Sequence, residues 1–468
     1  MKQGNLKHDD IDLLLHKQRD FFDSNRTKEI SFRIDMLKKL YAIIEKNENR
    51  IIDALYLDLH KGITEAYTSE ISFILKEIEK AISSLKKWNK PKKVWTPLIN
   101  FPAKSYYCYE PYGIALIIAP WNYPFGLTMS PLIGAISAGN CAILKPSEMS
   151  VNTAKLMSDL INSNFPPEYI RVVEGDAEAA KLLINKQINY IFFTGSTEVG
   201  KEIMKSAAEH LIPLTLELGG KNPCIVDNEV DIDVTARRVI WGKFFNAGQT
   251  CIAPDYLMVH NDIKDDFMKS LVKAVDEFHP DLTSDSKDYS HIINEKHFKR
   301  ICDLMKDGII LIGGQTDETN LFISPTIITE IDYDSKIMQE EIFGPLLPIM
   351  FYDNLTDVIS KLKTLPKPLT LYYFSKNKKN QDKILAETSS GSVCINGTIH
   401  VIMNQNLPFG GVGQSGMGSY HGQAGFETFS HRKSVIRKSF KLDFKAMYPP
   451  YKTKLSILKQ IIKRLYIL

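Results

Sequence analysis

A thiol, a carboxylate and an amide stand in three short stretches whose surroundings suit chemistry. Cys251 lies in GKFFNAGQTCIAPD, after Asn246-Ala247-Gly248-Gln249-Thr250 and before Ala253-Pro254. A cysteine is most often a small buried apolar residue, yet so little bulk around a sulfur leaves room for something large to reach it. Glu217 sits inside the apolar run LTLELGGKNP, just ahead of Gly219-Gly220. A carboxylate in such surroundings should hold its proton to unusually high pH and could act as a general base near neutrality; a paired or chain-end glutamate is the plainer reading. Asn122 in PWNYPF is flanked by Trp121 and Tyr123 with a proline on each side. Its amide could donate to an oxyanion, or simply close a turn.

Two further motifs suit a ligand that carries phosphate and sugar. YIFFTGSTEVGKEIMKSAAEH reads strand, turn, helix, with Gly195 and Gly200 flanking Ser196-Thr197-Glu198-Val199. Glycines there let backbone N–H groups at a helix start approach a phosphate, and the helix dipole favours its charge. The spacing departs from the G-x-G-x-x-G of dinucleotide folds, so a structural strand–helix turn fits as well. CAILKPSE places Lys145 and Glu148 after a buried run, where open parallel sheets bind ligands. They could hold ribose hydroxyls, or be a solvated turn.

Taken singly, each plain reading wins or ties. Taken together, a nucleophilic thiol, an oxyanion donor, a buried base and a phosphate turn describe the covalent oxidation of an aldehyde. PWNYPF, LKPSE, FTGST-x-x-G, LELGGK, NAGQTC and EEIFGP follow one another from Pro120 to Pro345. In kind and order they closely resemble the motifs of the aldehyde dehydrogenase superfamily, over essentially the whole chain. The ending PFGGVGQSGMGSYHG, then FSHRKS and MYPPY, is similar to the class 3 branch, which includes bacterial members and fatty-aldehyde dehydrogenases.

The resemblance implies roles for matching positions. Cys251 matches the nucleophile, Glu217 the general base and Asn122 the oxyanion amide. Lys145 and Glu148 match positions near the adenosine ribose, and Gly195, Ser196, Thr197 and Gly200 the pyrophosphate loop. Glu341 and Phe343 match the pair that holds the nicotinamide ribose and ring, with Trp121 a further cofactor contact, and Tyr123 and Phe409 are candidates for the aldehyde pocket. The implied substrates are aromatic and medium- to long-chain aliphatic aldehydes, the implied assembly a homodimer. The implied cofactor is NAD first, because Glu148 would repel a 2′-phosphate, with NADP accepted as well since Lys145 softens that repulsion. A coenzyme A-acylating dehydrogenase and a non-enzymatic binding protein on the same fold are the alternatives. Glu217 argues against the first, the complete set of Asn122, Glu217 and Cys251 against the second. A cofactor-free thiol hydrolase is a weaker rival, since no histidine stands in a recognisable partner motif.

The elements that must position these groups follow from the apolar pattern. The first hundred residues are helical: EISFRIDMLKKLYAIIEKNENRIIDALYLDL and YTSEISFILKEIEKAISSLKKW carry apolar residues at three- and four-residue spacing. KVWTPLINFPAKSYYCYEPYG reads as extended chain or a hairpin. From Gly113 onward, IALIIAP, CAILKP, YIRVVEG and YIFFTG alternate with helical stretches, and PCIVD, YLMVH, GIILIGG, LPIMFY, LTLYYFS and GSVCING continue the alternation after Gly219. Buried strands alternating with helices imply parallel sheets covered on both faces. The expected fold is α/β. It comprises a Rossmann-like NAD-binding domain (1–92 and 112–217), an α/β catalytic domain (218–417) and a small β oligomerisation arm (93–111 and 418–445).

Composition removes other classes. The chain has 468 residues, is 44% hydrophobic and 24% charged, and carries a net charge of only +3, so nucleic-acid binding is not expected. The six cysteines, at 108, 141, 224, 251, 302 and 394, share no metal-ligand spacing, so no metal site is expected. They read as reduced thiols. The N-terminus lacks an apolar signal-like core and no stretch is long enough to span a bilayer, which points to the cytoplasm. The tail 446–468 contains KTKLSILKQIIKRLYIL, basic and amphipathic. It is expected to dock on the protein or its dimer partner, with peripheral contact at the inner face of an anionic membrane as the alternative.

Overall fold

The computed structural model describes residues 8–280, 282–443, 448–450 and 455–467. Two largely parallel sheets organise it. The first has six strands in the order Gly416–Met417, Leu214–Leu218, Tyr190–Gly195, Ile114–Ile118, Cys141–Lys145 and Ile170–Val172. All are parallel except Gly416–Met417, which runs antiparallel along Leu214–Leu218 and opposes Gly416 to Glu217. The second has seven strands ordered Ile309–Ile312, Thr326–Thr329, Leu346–Tyr352, Tyr256–His260, Pro223–Val226, Thr370–Phe374 and Ser392–Ile395, with Ile309–Ile312 its one antiparallel edge. The sequence-expected strands lie in these sheets, the central ones buried on both faces: every residue of Ile114–Ile118 and Cys141–Lys145 is buried, whereas the edge strand Ile309–Ile312 exposes Ile309, Ile310 and Leu311.

A third, antiparallel sheet joins Lys92–Val94, Ala103–Pro111 and Ser430–Lys438, pairing Ser430 with Pro111 through to Lys438 with Ala103. The expected extended segment is therefore two strands of an arm, separated by a short 3-10 turn at Leu98–Asn100. The residues around 418 divide differently from expectation. Gly416–Met417 completes the first sheet, and the helix Gly422–Thr428 packs on the buried helix Gly126–Ala138. Only Ser430–Lys438 enters the arm. Glycine decides both approaches: a Cβ on Gly416, at φ +136°, would lie 2.1 Å from the Leu216 carbonyl, and one on Gly134 would lie 3.1 Å from that of Gly425.

The helical N-terminus also differs in one detail. The long periodic stretch after Ile30 is two helices, Ile30–Lys46 and Glu48–Leu59, because Asn47 turns its amide back onto the Ile43 carbonyl at 2.7 Å and breaks the run. Between Ile63–Ala66 and Ser72–Trp88 the chain winds through a single π turn, Tyr67–Ile71.

Candidate active site

Cys251 follows the helix Ile232–Phe244 and a 3-10 turn at Phe245–Gly248. Three consecutive residues of that turn are left-handed: Asn246 at φ 54°, Ala247 at 51° and Gly248 at 72°. Strain of this kind persists only where surrounding contacts impose it. Asn246 supplies them, donating through Nδ2 to the carbonyls of Asn122 (3.0 Å) and Gln249 (3.1 Å). Asn222 holds the far side through a 2.7 Å bond to the Cys251 carbonyl. The thiol is half-buried, and burial together with the nearby carboxyls of Glu341 and Glu217 pushes it up to about 12. The backbone N–H groups of Cys251 and Ile252 oppose that shift.

The sulfur stands between two cavities. One, of about 860 Å³, is lined by Trp121, Asn122, Glu217, Glu341 and Phe343 and runs to Gly195, Ser196 and Thr197. The other, of about 790 Å³, is mostly apolar and is walled by Phe73, Tyr123, Trp241, Phe244, Phe245 and Ile402. Of all their lining residues only Leu127 and Cys251 belong to both.

Asn122 is buried at the end of the strand Ile114–Ile118, and its Nδ2 donates to the Gln249 carbonyl at 3.0 Å. An amide has two N–H donors, so one remains for a ligand. Glu217 lies in the strand Leu214–Leu218, 3% exposed, with neither carboxylate oxygen bonded. Burial alone raises its pKa well above the ordinary carboxylate value. Gly219 is where the sheet admits Glu341: a Cβ there would lie 1.9 Å from Oε2. Burial pushes the Glu341 carboxyl up to about 8. Phe343, at φ 46°, meets Trp121 edge-on at 5.3 Å.

The far end of the first cavity is the start of the helix Thr197–Glu209. Ser196 caps it by accepting from Val199 N at 3.4 Å, and Thr197 Oγ1 donates to the Gln414 carbonyl at 3.1 Å. Gly200 stands apart from its expected place in the phosphate turn. It lies within that helix, where a Cβ would press 2.7 Å from Leu218 Cδ2, so its smallness serves helix–strand packing. Lys145 and Glu148 lie outside the lining of this cavity and bond each other at 3.0 Å. Phe409 is likewise not in the wall of the second cavity. Its backbone pairs with Tyr420 and its ring packs behind His421, which does line that cavity. Tyr123 is in the wall, its hydroxyl 2.7 Å from Thr250 Oγ1.

Sequence reading missed the aromatic wall Trp241, Phe244 and Phe245, although their spacing puts them on one helix face. It also missed Lys61 and Glu70, which hold the Asn122 loop from behind, and Glu65, which holds the Asn246 turn.

A sequence model of the Aldehyde dehydrogenase family matches residues 2–435. The chain belongs to that family. It is 48% identical to 4,4′-diaponeurosporen-aldehyde dehydrogenase of Staphylococcus aureus, over 97% of this chain and 99% of the relative. It is 42% identical to the dimeric NADP-preferring aldehyde dehydrogenase of Canis lupus familiaris, over 95% and 99%. A solved structure of the substrate-bound state of Staphylococcus aureus AldH superposes with a TM-score of 0.94 at 47% identity, covering 97% and 99%. This aldehyde dehydrogenase therefore oxidises aldehydes with NAD(P), and its parallel-sheet architecture is that of the family. The residues present fit such a dinucleotide. The first cavity lies at strand ends and offers a capped helix start at one end, where phosphate binds readily. At its other end it offers the half-buried Glu341 carboxyl beside the sulfur. Among the described residues no cluster could hold a metal ion.

Proposed function

We propose that Cys251 is the nucleophile, Asn122 the oxyanion donor and Glu217 the hydrolytic base in the oxidation of bulky apolar aldehydes. The observation that carries this reading is the position of Cys251 as the common wall of two cavities. The aldehyde enters through the apolar cavity and presents its carbonyl carbon to Sγ. As the hemithioacetal forms, the free N–H of the Asn122 amide and the Cys251 backbone N–H face the developing oxyanion; one such donor is worth about 3–4 kcal/mol of barrier. When bound, the nicotinamide dinucleotide supplies the two-electron acceptor. Ser196 and Thr197 at the helix start hold its phosphates, and Glu341 and Phe343 orient its reactive end. The thioester left on Cys251 is then cleaved by water from which Glu217 removes a proton.

The apolar walls favour long or aromatic chains. Each methylene that enters the cavity contributes about 0.8 kcal/mol, or about fourfold in kcat/KM. A profile over straight-chain aldehydes should therefore climb with length until the cavity of about 790 Å³ is full. Run with each dinucleotide, the same profile tests cofactor choice. Lys145 and Glu148 lie outside the lining of the first cavity, and a ribose that extends past it to Glu148 would favour NAD, with NADP also used. Equal kcat/KM with the two dinucleotides, or a preference for NADP, would remove Glu148 from the ribose site. A flat length profile would remove the apolar cavity as the substrate path.

Assembly as a homodimer is supported by the arm, which exposes Val94, Trp95, Leu98, Phe101 and Ile436. The tail helix Leu455–Ile467 lies beside Leu98–Asn100 with Leu455 and Ile457 exposed. That position supports docking of the tail on the dimer arm over binding to a membrane. No helix among the described residues is long and apolar enough to cross one. Sedimentation of the full chain should give a dimer that ignores anionic vesicles; co-pelleting that is lost in a chain ending at Tyr451 would favour the membrane.

A further inference from the structure

Behind the loop that carries Asn122 lie two charges wholly removed from water. Lys61 and Glu70 are both 0% exposed, and Lys61 Nζ bonds Glu70 Oε1. Nζ also donates to the Asn122 carbonyl at 3.2 Å and sits 4.1 Å from the centre of the Tyr123 ring. Glu70 Oε2 accepts the backbone N–H groups of Phe125 (2.9 Å) and Gly126 (3.0 Å), the first residues of the helix Gly126–Ala138. The helix dipole there favours the carboxylate. Apart from each other, all the bonds of this pair run to one stretch, residues 122–126.

Stability is a weak reason for such a pair. Two desolvated charges can often be replaced by neutral groups of similar shape without loss of stability, and in some systems such groups serve instead to specify one arrangement of the chain. The π turn adds to the point. Glu65 and Glu70 are five residues apart, which a regular α-helix would splay by about 140°. The extra residue of the π turn, a feature concentrated at functional sites, brings them toward one face. Glu65 accepts the Asn246 N–H at 3.3 Å on both oxygens and the Ser290 hydroxyl at 3.3 Å. One short segment thus touches both the Asn122 loop and the strained turn before Cys251. Asn246 and Lys61 meet on the same Asn122 carbonyl.

We propose that Lys61 and Glu70 are positioning residues for catalysis: the pair fixes residues 122–126 so that the Asn122 amide meets the oxyanion, while Glu65 on the same segment registers the nucleophile turn against it. The proposal rests on Asn122 being the oxyanion donor, as proposed above. Neither Lys61 nor Glu70 lines either cavity, so neither touches substrate or cofactor.

The test compares E70Q, the doubly neutral K61M/E70Q, N122A and E70Q/N122A. Measured for each are kcat with a long-chain aldehyde, dinucleotide affinity, Cys251 alkylation by iodoacetamide, and Tm. Alkylation needs the sulfur but no oxyanion donor. A displacement of about 1 Å at a reacting group costs up to about a hundredfold. E70Q should thus lower kcat by about ten- to a hundredfold, with alkylation and dinucleotide affinity within about twofold of wild type. K61M/E70Q, in which no buried charge is left unpaired, should keep a wild-type Tm but not a wild-type kcat. On the N122A background, E70Q should change kcat by less than about twofold, because the residue through which it acts is already gone. Wild-type kcat in K61M/E70Q, or a full E70Q loss on top of N122A, overturns the proposal. Undiminished kcat in N122A alone would instead bring down the assignment of Asn122.

Discussion

Replacing Cys251 by serine should abolish turnover. With any aldehyde, kcat falls by at least about a thousandfold, since a neutral hydroxyl is a far weaker nucleophile than a thiolate and a covalent route has no substitute. Dinucleotide affinity should stay within about twofold, because the helix start at Ser196 and the Glu341 carboxyl are untouched. Tm should also hold, as the exchange is nearly isosteric in a half-buried site. The structure makes one further demand on the sulfur. Burial and the two carboxyls hold it as a thiol, so the rate at which wild type adds to aldehyde should rise with pH, and that dependence must vanish in C251S. Measurable oxidation by C251S at a tenth of the wild-type rate would mean that another group attacks the carbonyl.

The second large effect belongs to Glu217. In E217Q the thioester forms but is not hydrolysed, so reduced dinucleotide appears as one equivalent per active site and the steady rate drops by about a hundred- to ten-thousandfold. The pH dependence has a definite sign. Glu217 acts as a base only when ionised, and burial holds it protonated well above the ordinary carboxylate range. Wild-type kcat should therefore climb as pH rises through that shifted value, and E217Q should lose that limb. Stability moves the opposite way. Between the unfolded carboxyl's value and the raised folded one, the folded state keeps a proton that the unfolded state releases, so wild type becomes less stable as pH rises across that interval. Glutamine has no proton to lose, and E217Q should gain Tm over wild type at alkaline pH. A steady rate in E217Q equal to wild type would show that water is activated elsewhere.

Much of this site was legible because strand ends announce themselves. Runs such as IALIIA and LTLEL are closed by proline or glycine, and a polar residue at the mouth of such a run stands out. Asn122 stands out in that way and Glu217 as a charge inside such a run, whereas Cys251 is marked by the small residues around it; the structure brings all three to one cavity. Lys145 and Glu148 also follow a strand end, yet they bond each other, a choice that depends on a turn three residues long and leaves no trace in composition. Phe409 sits one layer behind the cavity wall, against His421, a placement set by its backbone pairing with Tyr420 that no local pattern announces. Lys61, Glu65 and Glu70 were invisible for another reason. On paper they are ordinary charges between two helices or at a helix start, and apart from the Lys61–Glu70 bond their partners lie 55 or more positions away. Even Asn47 reads as helical until its side chain claims the Ile43 carbonyl that its own N–H would take in a continuing helix.

The partition formed by Leu127 and Cys251 has a consequence for traffic through the enzyme. Two chambers whose linings share only Leu127 and Cys251 should load and empty separately. A bulky plug in the apolar chamber therefore leaves the dinucleotide's own door open. Such a compound should depress the maximal rate when the dinucleotide is varied and compete only when the aldehyde is varied. The acid, too, can depart before the spent dinucleotide does, so neither product has to wait for the other. Trimming Leu127 to alanine opens a window in that wall, and the two inhibition patterns should then begin to merge.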